Sequence, residues 1–300
     1  MGVYSLREGF RNFGDFLGPK VIAELFSESV VATDVGVPSR APCLLSVGSI
    51  MHLMRPGDGV WGSGIRFSGE RINTSGIDFY SVRGPLTAEV IRDNGGPSVQ
   101  AFGDPGLLAA RLPEFQHLVA KKASQSATAP AKRVLVIPHY AHTSHLPKRV
   151  RIAMRLQSAS HSPARSWLGM RLGTSTSDVG ALRWISPFQT LDCIVRHIVD
   201  SRLTVSSSLH GLITACAFGV PFRWWWPSFE EVARIEDGRF KYRDFFASVD
   251  CRDVEPGGTV DECVKLGPQR IDRPLPLDAI MESMPDELLR RKYRFTGGPA

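Results

Sequence analysis

The sequence predicts an α/β protein made of two Rossmann-like, doubly wound domains with a cleft between them. Three observations carry that expectation. Short apolar segments alternate with amphipathic stretches, as βα units require. The alternation occurs twice, on either side of Lys121–Lys132, which reads KKASQSATAPAK and holds no large apolar residue. Finally, 300 residues, 43% hydrophobic and 22% charged, suffice for two domains of ordinary size. The expected organisation is a first domain over residues 1–120, a linker at 121–132, a second domain over 133–275, and a carboxyl-terminal helix and tail at 276–300.

In the first domain, Leu44–Val47, Val60–Trp61 and Phe79–Val82 read as strands, each followed by Gly, Ser or Arg and then by helix-forming sequence. The best-marked helix follows Arg83. Pro85 suits its first turn, Leu86, Val90 and Ile91 form an apolar stripe, and Asn94-Gly95-Gly96 ends it. An earlier helix, carrying Val21, Ile22 and Leu25, is expected after Asn12–Asp15. Beyond the linker, Arg133–Pro138 and Leu182–Ile185 read as strands. Ser186-Pro187 is expected to cap a helix with Phe188, Leu191, Ile194, Val195 and Ile198 on its apolar face. Strand Leu203–Val205 leads into Ser206-Ser207-Ser208 and a helix through Leu212, Ile213 and Cys216 that stops at Gly219. Ser158–Gly180, rich in Ser, Thr and Gly, reads as a mobile loop. Asp278–Phe295 reads as a helix with Arg290-Arg291-Lys292 near its end, either packing on the first domain or offering a basic face to anionic lipid.

A formal charge of +6 favours anionic partners. Nucleic acid is not expected, because the basic residues form no long run and are not interleaved with aromatics. The five cysteines are scattered without Cys-x-x-Cys spacing, so they are expected to be reduced and mostly buried. No apolar run approaches the roughly 20 residues that cross a bilayer, and the start MGVYSLREGFRNFGD places charges where a signal peptide has its apolar stretch. The expected location is the cytoplasm, with peripheral contact at the inner face of the plasma membrane as an extension of it.

Ligands of doubly wound sheets sit beyond the carboxyl ends of the strands, and four segments lie there. Val205–Pro221, VSSSLHGLITACAFGVP, delivers three hydroxyls and His210 onto a helix start, where amide N–H groups and the helix dipole favour a phosphate or carboxylate. The plainer reading makes Ser208 an N-cap, His210 a solvated residue, and Gly211 a packing glycine. Arg83, directly after a strand, suits a guanidinium clamping an anion, or else a structural ion pair. Asn12 and Asp15 suit sugar hydroxyls or a base, or else a turn with a helix cap. His139 ends its strand and is followed by His142 and His145 at intervals of three; loop histidines are the preferred reading over metal ligands. Among Trp224-Trp225-Trp226, some belong to the core while another, with Trp225 the candidate, stacks on a sugar ring. Gly103-Asp104-Pro105-Gly106 reads as a structural turn.

Taken in order, six pieces resemble the polysaccharide pyruvyltransferase family, and in particular bacterial exopolysaccharide enzymes. They are N-F-G-D (Asn12–Asp15), S-I with V-W-G-S-G (Ser49–Ile50, Val60–Gly64), S-V-R-G-P-L-T (Ser81–Thr87), G-D-P-G-L-L (Gly103–Leu108), V-L-V-I-P-H (Val134–His139) and S-L-H-G-L-I-x-A-x-A-F-G-V-P (Ser208–Pro221). The resemblance implies an architecture similar to GT-B glycosyltransferases, phosphoenolpyruvate as donor with no separate cofactor or metal, and a sugar of a polymeric or lipid-linked glycan as acceptor. It also implies site roles for Arg83 and His210. Many members have arginine where this chain has Ser208, and Arg223 and Arg83 are the candidates to replace its charge.

On this reading His210 and Asp15 are the catalytic candidates. Arg83, Ser207, Ser208, Leu209, Gly211 and Arg223 are the donor-binding ones, and Asn12, His139 and Trp225 face the acceptor. Two other classes stay open: a GT-B glycosyltransferase using a nucleotide sugar, and a non-catalytic protein binding glycan or anionic lipid.

Overall fold

A computed structural model of the protein describes residues 2–5, 12–26, 31–34, 42–124, 133–159, 177–179, 182–227 and 238–284. They fall into two compact units. The first begins with β1 (Gly2–Ser5), α1 (Gly14–Leu25), β2 (Val31–Asp34), β3 (Cys43–Leu45), β4 (Gly59–Trp61), β5 (Asp78–Ser81) and α2 (Pro85–Asp93). Its strands pair in the order β2-β1-β3-β4-β5, all parallel. Every residue of β3 and β4 is buried, as central strands of a parallel sheet covered on both faces must be. The stripe on α2 packs as expected: Val90 and Ile91 join Cys43, Leu45 and Val60 in one core. Pro85 opens that helix, and Gly95 follows it at φ +78°, the left-handed conformation that favours glycine.

The second unit contains α3 (Gln116–Ser124), β6 (Val134–Ile137), α4 (Lys148–Ala159), β7 (Ser177–Val179), β8 (Leu182–Trp184), α5 (Leu191–Val199), β9 (Leu203–Ser206), α6 (Leu209–Ala217) and β10 (Phe222–Trp224). Strand order is β10-β9-β6-β8-β7, parallel except for antiparallel β7 at one edge. Helix α5 starts at Leu191 rather than after Pro187. Its N-cap is Thr190, whose Oγ1 accepts from Cys193 N at 3.3 Å, while Ser186 Oγ accepts from Phe188 N in a preceding turn. Of Ser158–Gly180, residues 158–159 end α4 and 177–179 form β7; residues 160–176 and 180 lie outside the described residues.

The remaining helices alternate between the units. Helix α7 (Phe240–Ser248) belongs to the first, α8 (Val260–Leu266) to the second and α9 (Leu277–Glu282) to the first. The division therefore runs at 115/116 rather than 120/121, and 133–275 is not one continuous unit. The reason is packing. Phe240 joins the first unit's core, and α9 is held there by Trp61 Nε1 donating to Ile280 O at 3.1 Å. Within the expected linker, 121–124 end α3 and 125–132 lie outside the described residues, as do 285–295 of the expected carboxyl-terminal helix. No described helix is long and apolar enough to cross a membrane.

Candidate functional site

In the second unit, β6 and β9 are neighbours in register, Ile137 opposite Ser206. The chain passes from β6 to β8 on one side and from β8 to β9 on the other, so the strand order reverses at this pair, where a parallel sheet opens a crevice at its carboxyl edge. His139 leaves β6 there, Ser207 leaves β9, and His210 follows on the first turn of α6.

Ser206 builds the turn. Its Oγ lies 2.9 Å from Ile137 O and accepts from Ser208 N at 3.0 Å. Gly211 lets the helix descend onto it, since a Cβ at that position would stand 2.4 Å from Ser206 Oγ. Gly211 thus has a packing role. Ser208 is N-cap by position without a side-chain capping bond, and Leu209 is buried. His210 is half-buried.

Ser207 is fully buried and turns toward the β6 loop. Its Oγ accepts from His139 N at 2.9 Å and lies 3.0 Å from His142 Nδ1. His142, only 6% exposed, was not singled out by sequence as a site residue. Its ring lies 5.2 Å from that of His139 and meets Trp226 edge-on at 6.3 Å. Three-residue spacing along the loop was the one signal for it. His145, the third of the series, is exposed, and among the described residues no group of His, Cys, Asp and Glu could hold a metal ion.

Two expected ligands face elsewhere. Arg223 donates through Nε to Gly267 O at 2.5 Å and through Nη2 to Leu266 O at 2.9 Å, satisfying carbonyls at the end of α8 as a cationic cap. Trp225 is 4% exposed, packs edge-on against Trp184 at 6.1 Å and donates Nε1 to Gly258 O at 3.3 Å. It is core, and so is Trp224; the indole beside the histidines is Trp226.

In the first unit, Arg83 is 0% exposed. Its Nε donates to Asp244 Oδ2 at 2.9 Å, Nη1 to Ser49 Oγ at 2.6 Å and Nη2 to Ile65 O at 2.7 Å. The fork ties the loops after β3 and β4 to α7. Asp244 also accepts from Thr87 N and Thr87 Oγ1, and a Cβ at Gly84 would stand 2.1 Å from Asp244 O. The Arg-Gly-Pro motif is therefore shaped to dock α7, and Arg83 is a positioning residue rather than an accessible clamp. Nearby Asp104 caps the structural turn expected at Gly103–Gly106 and is a buried carboxyl: Oδ1 accepts from Gly106 N at 2.8 Å while Oδ2 has no partner. Burial pushes it up to about 6, opposed by the Gly106 bond and the Arg83 charge.

Asn12 and Asp15 lie at the start of α1, after β1, and so across β3 and β4 from the Arg83 strand. They bond each other. Asp15 Oδ2 accepts from Asn12 N at 3.1 Å and Asn12 Nδ2 at 3.0 Å, while Asn12 Oδ1 accepts from Gly14 N at 2.9 Å, a reciprocal cap. Burial raises Asp15 to about 7, with the Asn12 bonds pulling the other way. That value leaves it able to gain or lose a proton near neutrality.

No curated protein matches the chain. The family model described as polysaccharide pyruvyl transferase matches residues 14–226, a span that runs from the first residue of α1 through Trp226. That span includes Arg83 but not its partner Asp244, together with the β6 loop and the whole Ser206–His210 turn, and on it the chain belongs to the polysaccharide pyruvyl transferase family.

Proposed function

We propose that this protein is a ketal-forming pyruvyltransferase, with phosphoenolpyruvate as donor and a sugar of an exopolysaccharide, or of its lipid-linked repeat unit, as acceptor. The observation that carries the reading is the start of α6: a strand end, a helix start carrying His210, and the two loop histidines His139 and His142 around Ser207 come together at the sheet's switch point. The donor's phosphate and carboxylate call for aligned N–H groups and nearby cationic or proton-donating side chains, and a helix start with histidines supplies that chemistry.

An acid, here His210, gives a proton to the methylene carbon, and oxocarbenium character develops at the carbon bearing phosphate. One sugar hydroxyl adds there and loses its proton. The second displaces phosphate and loses its own, closing the cyclic ketal. Two hydroxyl protons leave, and one proton is needed to make the methyl group; the other departs with phosphate or solvent. Asp15 is the candidate to accept a hydroxyl proton. A base acts ionised, so turnover controlled by it rises as pH increases through about 7. Asp15→Asn removes that limb, and an unchanged pH profile removes Asp15 from the scheme.

The test of the reading is incubation with phosphoenolpyruvate and a panel of free and lipid-linked oligosaccharides. Release of phosphate together with the mass of an added pyruvate ketal is the expected result. Binding without product, or turnover of a nucleotide sugar instead, overturns it.

A further inference from the structure

We propose that the outer face of α4 is a docking surface for an anionic lipid bilayer, holding the second unit at a membrane that carries the lipid-linked acceptor. The surface is argued from α4 itself, and its use rests on the acceptor reading above.

Helix α4 has an inner and an outer face. Val150 and Met154 sink with Leu146 into the core of the second unit, which fixes the helix in place. On the other face Lys148, Ile152 and Arg155 recur at intervals of four and three, and Arg149 borders them. All four are exposed, Ile152 by 49%. Among the described residues, Lys148, Arg149 and Arg155 have no side-chain hydrogen bond or ion pair. Arg151 belongs to the fold instead, donating Nη1 to Ser144 O at 3.1 Å.

The outer face works against the helix that bears it. Lys148 and Arg149 stand in the first turn, where the helix dipole disfavours positive charge and no acid offsets it. Arg151 and Arg155, four residues apart, repel each other. Residues 138–159 contain no carboxylate, and β7, packed beside α4, has Asp178 as its one acid, in register with Arg183. An anionic surface relieves that crowding. Ile152 decides which kind of surface, because a polyphosphate or an acidic glycan would neutralise the cations and leave the isoleucine in water. A bilayer meets the cations at its headgroups and buries the isoleucine beneath them. The position suits the use: the loop 138–147, which carries His139 and His142, leads directly into Lys148, so the docked helix starts at the sheet edge where α6 begins.

The test is sedimentation of the full-length protein with vesicles of phosphatidylglycerol and phosphatidylcholine, against vesicles of phosphatidylcholine alone, over a range of salt. Wild-type protein should bind the anionic vesicles, and salt should weaken the binding. Combining Lys148→Gln, Arg149→Gln and Arg155→Gln should lower that affinity roughly 100-fold, at about fivefold per charge, with the unfolding midpoint no lower than wild type. Ile152→Ser should lower it about fivefold at every salt concentration. Equal binding to both vesicle types, or a triple variant that binds as wild type does, overturns the proposal. An unchanged Ile152→Ser affinity, or binding of inorganic polyphosphate without binding of vesicles, makes the face a polyanion site and overturns the bilayer. Loss confined to a control variant neutralised at Arg290, Arg291 and Lys292 moves the contact away from α4 and overturns it too. None of these mixtures contains phosphoenolpyruvate or glycan, so failure here leaves the pyruvyltransferase reading intact. In the ketal assay the triple variant should raise KM for a lipid-linked acceptor in anionic vesicles, with kcat and turnover of free oligosaccharide unchanged. Equal KM values overturn the use assigned to the surface.

Discussion

The Arg83 node of the first unit and the Ser207 node of the second use polar groups in opposite ways. Arg83 is sealed from solvent, with the guanidinium fork satisfied by a carboxylate, a hydroxyl and a backbone carbonyl of the same unit. Such an arrangement holds loops in place: three of the five guanidinium N–H groups bond the unit's own loops and helix, and the side chain is sealed from solvent. The Ser207 node joins a buried hydroxyl to the His139 backbone N–H and the His142 ring beside a half-buried His210, and the direction of its His142 contact depends on the ring's tautomer. A motif residue that is charged is thus not thereby the residue that meets substrate. Permanent charge serves the scaffold at Arg83.

The sharpest way to break that contrast is to remove Arg83 or Asp244. Stranding either charge in the interior should cost about 3–5 kcal/mol, read in denaturant unfolding, and Arg83→Lys should not restore it because an ammonium cannot span the same three acceptors. A stable Arg83→Ala protein that has lost only donor affinity would reverse the assignment. Next in size, His210→Ala should lower turnover by about 10²–10⁴-fold with thermal stability little changed. Retained ketal formation would move the chemistry off this turn.

Asp104 sharpens the same comparison from within the first unit. Its carboxyl is raised from 3.8 to about 6, so the protonated form favours the fold, an advantage complete below 3.8 and lost as pH rises through about 6. The difference of roughly 2 pKa units corresponds to about 3 kcal/mol at most. Asp104→Asn should therefore stabilise the protein at pH 8 and do little near pH 4, with unfolding midpoints as the measurement; an equal gain at both pH values would show that titration is not its source. Smallest of all, Arg223→Ala should cost about 0.5–1 kcal/mol, as expected for a helix-end cation, and leave phosphoenolpyruvate affinity unaltered. A marked loss of affinity would return Arg223 to the donor site.

Much of the fold was legible because its signals are local. Strands at β3, β4, β6, β8 and β9 announce themselves as apolar runs, and α2 carries its start and stop chemistry in Pro85 and Gly95. Thr190 was missed as the cap of α5 because Ser186-Pro187 offered an equally good local signal four residues earlier, and only the turn between them decides. At the site, the Ser206–Gly211 turn and His139 were recognisable from a strand running into a helix. His142 was seen only as one of three loop histidines, since nothing in its neighbours says which member turns inward to Ser207.

The sequence by itself determined the alternating α/β order, the anion-favouring start of α6 and the family motifs, all of which depend on residues adjacent along the chain. Tertiary structure alone decided that Arg83 meets Asp244, 161 residues away, that α7 and α9 return to the first unit, and that Trp225 and Arg223 are occupied by packing and capping. Hydrogen-bond capacity is finite and burial is collective, so a side chain's partners are set by whatever the fold brings to it.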